Sequence, residues 1–228
     1  MPIHEIIKLN SSRDERLRLS VMLALNCAPI LKGSKAACIV TVKPHEFFII
    51  RDMFKNTGVL YRLLKTGKNH SILYLYRENQ LYKYLCQAGV REFLKKYGYF
   101  GVSLEEMLDR LSDRILLYGN GKIEFPHEIG IFLGYPIADV KGFIENEGKN
   151  FIYSGYWKVY ENVAEAVQLF RQYDMEREMA VREVIRGLSI REVVGSLTHC
   201  CLKFPLYDSP SVGRRYFGKG DINYLYKT

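Results

Sequence analysis

The chain has 228 residues and a mass of 26.5 kDa, with 48% apolar and 25% charged residues. This length is enough for one domain with a sizeable hydrophobic core, and the composition excludes a mainly disordered or fibrous protein. The 33 Lys and Arg outnumber the 25 Asp and Glu, so the formal charge is +8. That surplus favours anionic partners such as nucleic acid, phosphorylated ligands or membrane surfaces without choosing among them.

The first predicted helix follows Ser12, which has the spacing of a capping box with Glu15. Apolar residues then recur every four positions, as on one face of a helix. We expect this helix to end near Cys27, because Pro29 disfavours the helical conformation of the residue before it.

The next part of the chain predicts a strand, a helix and a β-hairpin. Residues 37–42 form a short apolar segment that contains β-branched residues, and this pattern predicts a buried strand. A helix is predicted over 44–54. Residues 59–64 and 71–76 are apolar or aromatic runs separated by the turn sequence at 66–69, which predicts an antiparallel hairpin.

Helical patterns dominate the centre of the chain. Two short helices are predicted over 78–86 and 90–97. Ser103 and Glu106 form a second capping box, and the amphipathic helix behind it should end at Gly119. Two further short helices are predicted over 126–133 and 136–146, and each begins with proline, which the first helical turn accepts.

The last third begins with an extended aromatic segment over 151–160 and continues as a long helix from Asn162, broken at Gly187. Helices outnumber strands, so we predict a helix-rich single α+β domain with a small, at least partly antiparallel sheet over residues 1–197. Residues 198–228 form a basic tail that contains Gly and Pro and is predicted to be loosely packed or disordered.

Cysteine usage and the N-terminal sequence predict a cytoplasmic protein. No apolar stretch resembles a secretory signal or is long enough to span a bilayer. The cysteine count is odd and no pair has C-x-x-C spacing, so reduced thiols are expected, and neither a metal site nor a cofactor is predicted. The cysteines are Cys27, Cys38, Cys86, Cys200 and Cys201.

A family resemblance rests mainly on one long segment, Phe125-Pro-His-Glu-Ile-Gly-Ile-Phe-Leu-Gly-Tyr-Pro-Ile-Ala-Asp-Val-Lys-Gly-Phe-Ile144. Together with residues 155–160 and 26–35, it resembles an uncharacterised bacterial family known as the domain of unknown function 3793. The resemblance covers about residues 17–197, and the tail departs from the pattern. It implies no activity, because none is established for that family.

A thiol site is one candidate for chemistry. Cys27 and His127 fall in the segments that carry the resemblance, with Glu128 placed to orient the imidazole, and a cysteine with a histidine is the minimum for thiol catalysis. The predicted helix ends oppose an ion pair between them, because Cys27 lies at a C-terminal end and His127 in a first turn.

A second candidate is a helix-turn-helix over residues 126–146, with Gly130 at the helix crossing and Gly134 at the turn. Its presumed recognition helix is expected to expose Asp139 and Glu145, which phosphates repel. A buried helical corner explains the same apolar positions.

The third candidate is a basic, tyrosine-rich surface. Lys32 and Lys35 lie near the first strand, and Tyr74, Tyr76 and Arg77 lie on and after the hairpin. Such interleaving can bind an anionic ligand or stack single-stranded nucleic acid, whereas packing of the tyrosines in the core is the competing interpretation.

These candidates lead to one preferred function and two alternatives. We favour a binding or regulatory module for an anionic ligand or a protein partner, with nucleic acid among the possible anions. The alternatives are a thiol-dependent enzyme that uses Cys27 and His127 and a DNA-binding protein that uses the 126–146 corner.

Overall fold

A three-stranded antiparallel sheet in the order β1-β3-β2 is the centre of the molecule. The computed structural model describes residues 3–196, and the predicted tail over 198–228 lies outside the described residues. The strands are β1 (Ala37–Val42), β2 (Leu60–Thr66), β3 (Ser71–Tyr76), β4 (Tyr153–Ser154) and β5 (Lys158–Val159). The helices are α1 (Ile3–Asn10), α2 (Glu15–Leu31), α3 (Glu46–Met53), α4 (Glu78–Leu85), α5 (Ala88–Lys95), α6 (Leu104–Gly119), α7 (Ile129–Phe132), α8 (Ile137–Glu145), α9 (Val163–Ile185) and α10 (Ile190–Gly195).

The predicted fold class is confirmed. The hairpin of β2 and β3 is antiparallel, and β1 pairs with the other edge of β3, which is buried along its whole length. β4 and β5 form a separate two-stranded antiparallel sheet. This is a helix-rich α+β fold, as the excess of helical patterns predicts.

The sheet separates two hydrophobic cores, because side chains on a strand alternate between its faces. Ile39 and Tyr74 point into the α6-side core, which contains the buried residues of α6, α7 and Trp157. Cys38 and Leu75 point into the α2-side core, which contains the buried faces of α2 and α10 and the buried residues of the C-terminal half of α9.

Helix α2 does not end near Cys27 as predicted, but runs through Pro29 to Leu31. Ala28, Ile30 and Leu31 are fully buried there. A proline inside a helix costs about 3 kcal/mol, whereas each large apolar side chain gains roughly 1.5–3 kcal/mol on burial. Tertiary burial therefore outweighs the local effect of Pro29.

The start of α2 also differs from the prediction. Asp14 is the N-cap and accepts a hydrogen bond from the Leu17 backbone N–H, while the Ser12 hydroxyl accepts from the Asp14 N–H. The Ser12 capping box is therefore wrong, and Asp14 replaces it with the same type of contact two residues later. By contrast, the capping box of Ser103 and Glu106 is present at the start of α6.

Candidate functional site

Cys27 and His127 do not lie in one site. Cys27 is fully buried in the α2-side core. The His127 ring packs between the rings of Phe125 and Phe143, each at a centroid distance of 5.1 Å, and Phe125 belongs to the α6-side core. The two residues therefore lie on opposite sides of the sheet, so His127 is not placed to act as a base for the Cys27 thiol.

Burial lowers the pKa of His127, and the nearby carboxylates of Glu128 and Glu124 only partly oppose this effect. The neutral imidazole is therefore favoured. His127 lies just before α7 and fills space between two aromatic rings, which is a packing role.

Glu128 contacts an arginine and a tyrosine of the α6-side core. Its side chain is 1% exposed and forms an ion pair with the Nε of Arg114, and it accepts a hydrogen bond of 3.1 Å from the Tyr99 hydroxyl. The Arg114 guanidinium also lies over the Tyr97 ring. These contacts join α6 and the α5–α6 loop to the start of α7, so Glu128 links three segments of the α6-side core.

Lys32 is not a surface cation. Its side chain is fully buried, and its Nζ donates to both carboxylate oxygens of Glu183, at 2.8 and 2.6 Å, and to the Ser196 hydroxyl at 2.9 Å. This ammonium group holds the end of α2 against α9 and the end of α10.

The other predicted ligand residues also make internal contacts. Tyr74 is fully buried and Tyr76 is 7% exposed, and their rings stack at 5.5 Å. Arg77 donates from Nε and Nη2 to the carbonyls of Ile30 and Leu31, so it caps the C-terminal end of α2. Lys35 is 5% exposed, with its Nζ 5.2 Å from the ring centroid of Tyr135.

Buried tyrosine hydroxyls hold the segment of α7 and α8 in place. Tyr74 donates to the Phe132 carbonyl at 2.6 Å, Tyr84 donates to the Tyr135 carbonyl at 2.5 Å, and Tyr99 donates to Glu128. These three tyrosines come from β3, α4 and the α5–α6 loop. Three of the 17 tyrosines therefore hold this helical corner against β3, α4 and the α5–α6 loop.

The 126–146 corner has the turn that its glycines predict. Gly134 has a φ of +76°, and a Cβ on Gly130 would lie 2.9 Å from a Val140 methyl group, so both positions need glycine. The prediction that Asp139 is exposed is wrong. The residue is 4% exposed, because its side chain accepts hydrogen bonds from the indole N–H of Trp157 at 2.7 Å and from the Tyr160 backbone N–H at 2.7 Å.

The contacts of α8 leave little surface for reading DNA bases. Val140 packs toward α7, and Gly142 lies against the ring of Tyr160. Within α8, only Lys141 and Glu145 are exposed. One cation and one carboxylate are a poor surface for phosphates and base edges.

A cleft lies on the other side of the molecule, where the start of α2, the end of α3 and the α9–α10 turn meet. We call it the α2–α10 cleft, and its volume is about 510 Å³. Leu17, Met53, Val184 and Ile190 are among its apolar lining residues. The volume is in the range of small-molecule sites, roughly 300–1,000 Å³.

Two arginines converge on one residue, Asp52, in this cleft. Arg16 Nη1 donates to Asp52 Oδ2 at 2.8 Å, and Arg191 Nη2 donates to the Asp52 backbone carbonyl at 3.3 Å. The hydrogen bond and charge of Arg16 lower the pKa of Asp52, and the charges of Arg191 and Lys55 add to this effect. Three cations therefore surround Asp52, and the Arg16 and Asp52 side chains are 51% and 57% exposed.

Sequence reasoning did not find this site. Arg16, Asp52 and Arg191 lie far apart in the chain, on three different helices, and no motif links them. Their proximity follows from the packing of α2 against α9 and α10, which the sequence pattern does not reveal. The only usable signal was the local excess of positive charge in residues 179–228, with eight Lys and Arg against four Asp and Glu.

The fold and its buried contacts define an α+β protein with two cores on one small sheet. A family model described as a protein of unknown function, DUF3793, matches residues 23–194, more than half of the chain. The chain therefore belongs to the DUF3793 family, as its resemblance predicts. A search of curated proteins and a search of solved structures each returned no significant match. Within residues 3–196, no helix combines the length and apolar character needed to cross a membrane.

Proposed function

We propose that the protein is a binding module for a small anionic ligand and that the ligand binds in the α2–α10 cleft. The observation that carries this proposal is the convergence of Arg16 and Arg191 on Asp52 in a cleft of about 510 Å³. A guanidinium presents five N–H donors in a planar fork that matches the oxygens of a carboxylate or phosphate.

In this proposal Asp52 is an internal substitute for the ligand. Its carboxylate accepts from one nitrogen of Arg16, and both side chains remain about half exposed. An exposed ion pair contributes roughly 0–1 kcal/mol, so an incoming anion displaces Asp52 at little cost. The apolar lining favours a ligand that joins an anionic group to an apolar body.

Phenyl phosphate is a suitable probe because it joins a phosphate to an aromatic ring, and phenol is its neutral comparator. We expect isothermal titration calorimetry to detect phenyl phosphate, with affinity that falls as salt rises, and to detect much weaker binding of phenol. Arg191→Gln should weaken phenyl phosphate binding about tenfold, because a charge-assisted hydrogen bond contributes roughly 1.5–3 kcal/mol.

Two further variants make this test specific. Arg186→Gln removes the same charge from an exposed residue at the end of α9 that does not line the cleft, so it should leave the affinity nearly unchanged. Asp52→Asn removes the internal competitor and should tighten binding. Equal affinities for Arg191→Gln and Arg186→Gln, or weaker binding by Asp52→Asn, would contradict the proposal.

A further inference from the structure

A second group of side chains, separate from those that line the cleft, brings three potential metal ligands together. Glu15 is the first residue of α2, His45 is the N-cap of α3 and Glu46 is the first residue of α3. One ligand atom from each lies within 4.8 Å of the others. None of the three lines the α2–α10 cleft.

The contacts within this group already orient the ligands. His45 Nε2 lies 3.0 Å from Glu15 Oε1, and Glu46 Oε2 accepts a hydrogen bond of 2.7 Å from the Lys43 backbone N–H. Arg18 Nη2 also reaches Glu15 Oε1, at the longer distance of 3.5 Å. Of the two carboxylates, Glu15 thus has a nearby guanidinium, and the group carries a net negative charge when the imidazole is neutral.

The ligand set differs from a simple acidic patch. An imidazole with two carboxylates is a donor set for a divalent transition metal, because imidazole suits first-row transition metals and carboxylates suit hard divalent ions. Donor atoms bound at about 2.0–2.2 Å to one ion lie roughly 3–4 Å apart. The three ligand atoms, all within 4.8 Å of one another, are therefore close to the spacing that a bound ion requires.

We propose that Glu15, His45 and Glu46 bind one divalent transition-metal ion, with water completing its coordination. His45 is 60% and Glu15 is 33% exposed at the side chain, which leaves room for that water. The positive ends of the α2 and α3 helix dipoles oppose the charge of the cation. We therefore expect micromolar to millimolar affinity rather than the tight binding of a closed structural site.

Binding of Mn²⁺ to the full chain tests this proposal. Mn²⁺ is preferable to Zn²⁺ as a probe because thiolates compete strongly for Zn²⁺, and the chain contains five cysteines. Free aqueous Mn²⁺ gives a six-line electron paramagnetic resonance signal that weakens on binding. We expect one Mn²⁺ per chain, and His45→Ala and Glu46→Gln should each weaken its binding at least tenfold.

Matched variants distinguish this site from general metal binding and from the anion site. His70→Ala removes another exposed histidine, which follows β2, and should leave Mn²⁺ affinity unchanged. Arg191→Gln should also leave it unchanged, so the metal and anion proposals can fail separately. Circular dichroism checks that each variant is folded. Undiminished free Mn²⁺ signal with the wild-type chain, or equal Mn²⁺ affinity of the wild type and His45→Ala, would overturn the proposal.

Discussion

Replacing Lys32 by methionine should destabilise the fold, because methionine fills similar space but removes the ammonium group. In the wild type that group is fully buried and donates to Glu183 and to the Ser196 hydroxyl. The substitution leaves the Glu183 carboxylate 17% exposed and without its cation. The sequence predicted Lys32 to be a ligand-binding residue, and a large loss of stability in Lys32→Met would instead indicate a structural role.

The expected loss follows from the burial of the pair. Removing one partner of a buried ion pair costs roughly 3–5 kcal/mol. Because Glu183 retains some contact with solvent, we expect the lower end of that range, about 3 kcal/mol in the free energy of unfolding. For a protein of this size, such a loss lowers the melting temperature by about 6–12 °C.

Urea unfolding of the full chain measures the effect, with Lys149→Met as the matched control. Lys149 forms a pair with Glu147 in which both side chains are more than 70% exposed, so its loss should change stability by less than about 0.5 kcal/mol. Adding Glu183→Leu to Lys32→Met should restore most of the lost stability, because no buried charge then remains unpaired. A Lys32→Met variant as stable as Lys149→Met would refute the structural role of Lys32.

Two further predictions concern a helical glycine and a buried acid. Gly142→Ala should destabilise by about 1–3 kcal/mol in urea unfolding, because the new Cβ would lie 2.5 Å from the Tyr160 ring. Gly89→Ala, in α5 with no atom within 4 Å of the new Cβ, should instead stabilise by about 0.5 kcal/mol, and equal effects at the two positions would contradict this packing. Burial raises the pKa of Glu176, so the folded protein binds its proton more tightly than the unfolded chain does. The stabilising contribution of Glu176 to the free energy of unfolding is greatest at a pH below the pKa that Glu176 has in the unfolded chain. It is lost as the pH rises through the pKa that Glu176 has in the folded protein. The glutamine of Glu176→Gln cannot ionise, so the variant should gain stability relative to the wild type as the pH rises from 4 to 8. A difference in the free energy of unfolding that stays constant over that range would contradict the raised pKa.

Local patterns in the sequence were sufficient for the strands and most helices. The β-branched run of β1 and the turn between β2 and β3 are local signals, and the structure contains that strand and that hairpin. The end of α2 was predicted incorrectly, because it depends on the burial of Ile30 and Leu31 against distant elements rather than on Pro29 itself.

The candidate sites were harder to predict for the same physical reason. Tyr74 and Tyr76 alternate along β3 in a pattern that fits an exposed or a buried face equally well, and helices that include α6 and α7 decide the outcome by covering that face. The local sequence around Lys32 is typical of a surface cation, because its ion-pair partner Glu183 lies 151 positions later in the chain. Arg16 and Arg191 meet only through helix packing.

The tyrosine hydroxyls that hold the helical corner also provide a label-free optical signal. Burial raises the pKa of Tyr74, Tyr84 and Tyr99, so these phenols stay protonated at a pH where exposed phenols have ionised. Tyrosinate absorbs in the near ultraviolet at wavelengths where the neutral phenol does not. An alkaline titration should therefore rise in two stages, and the second stage reports when the buried phenols, among them those that hold the corner, become exposed.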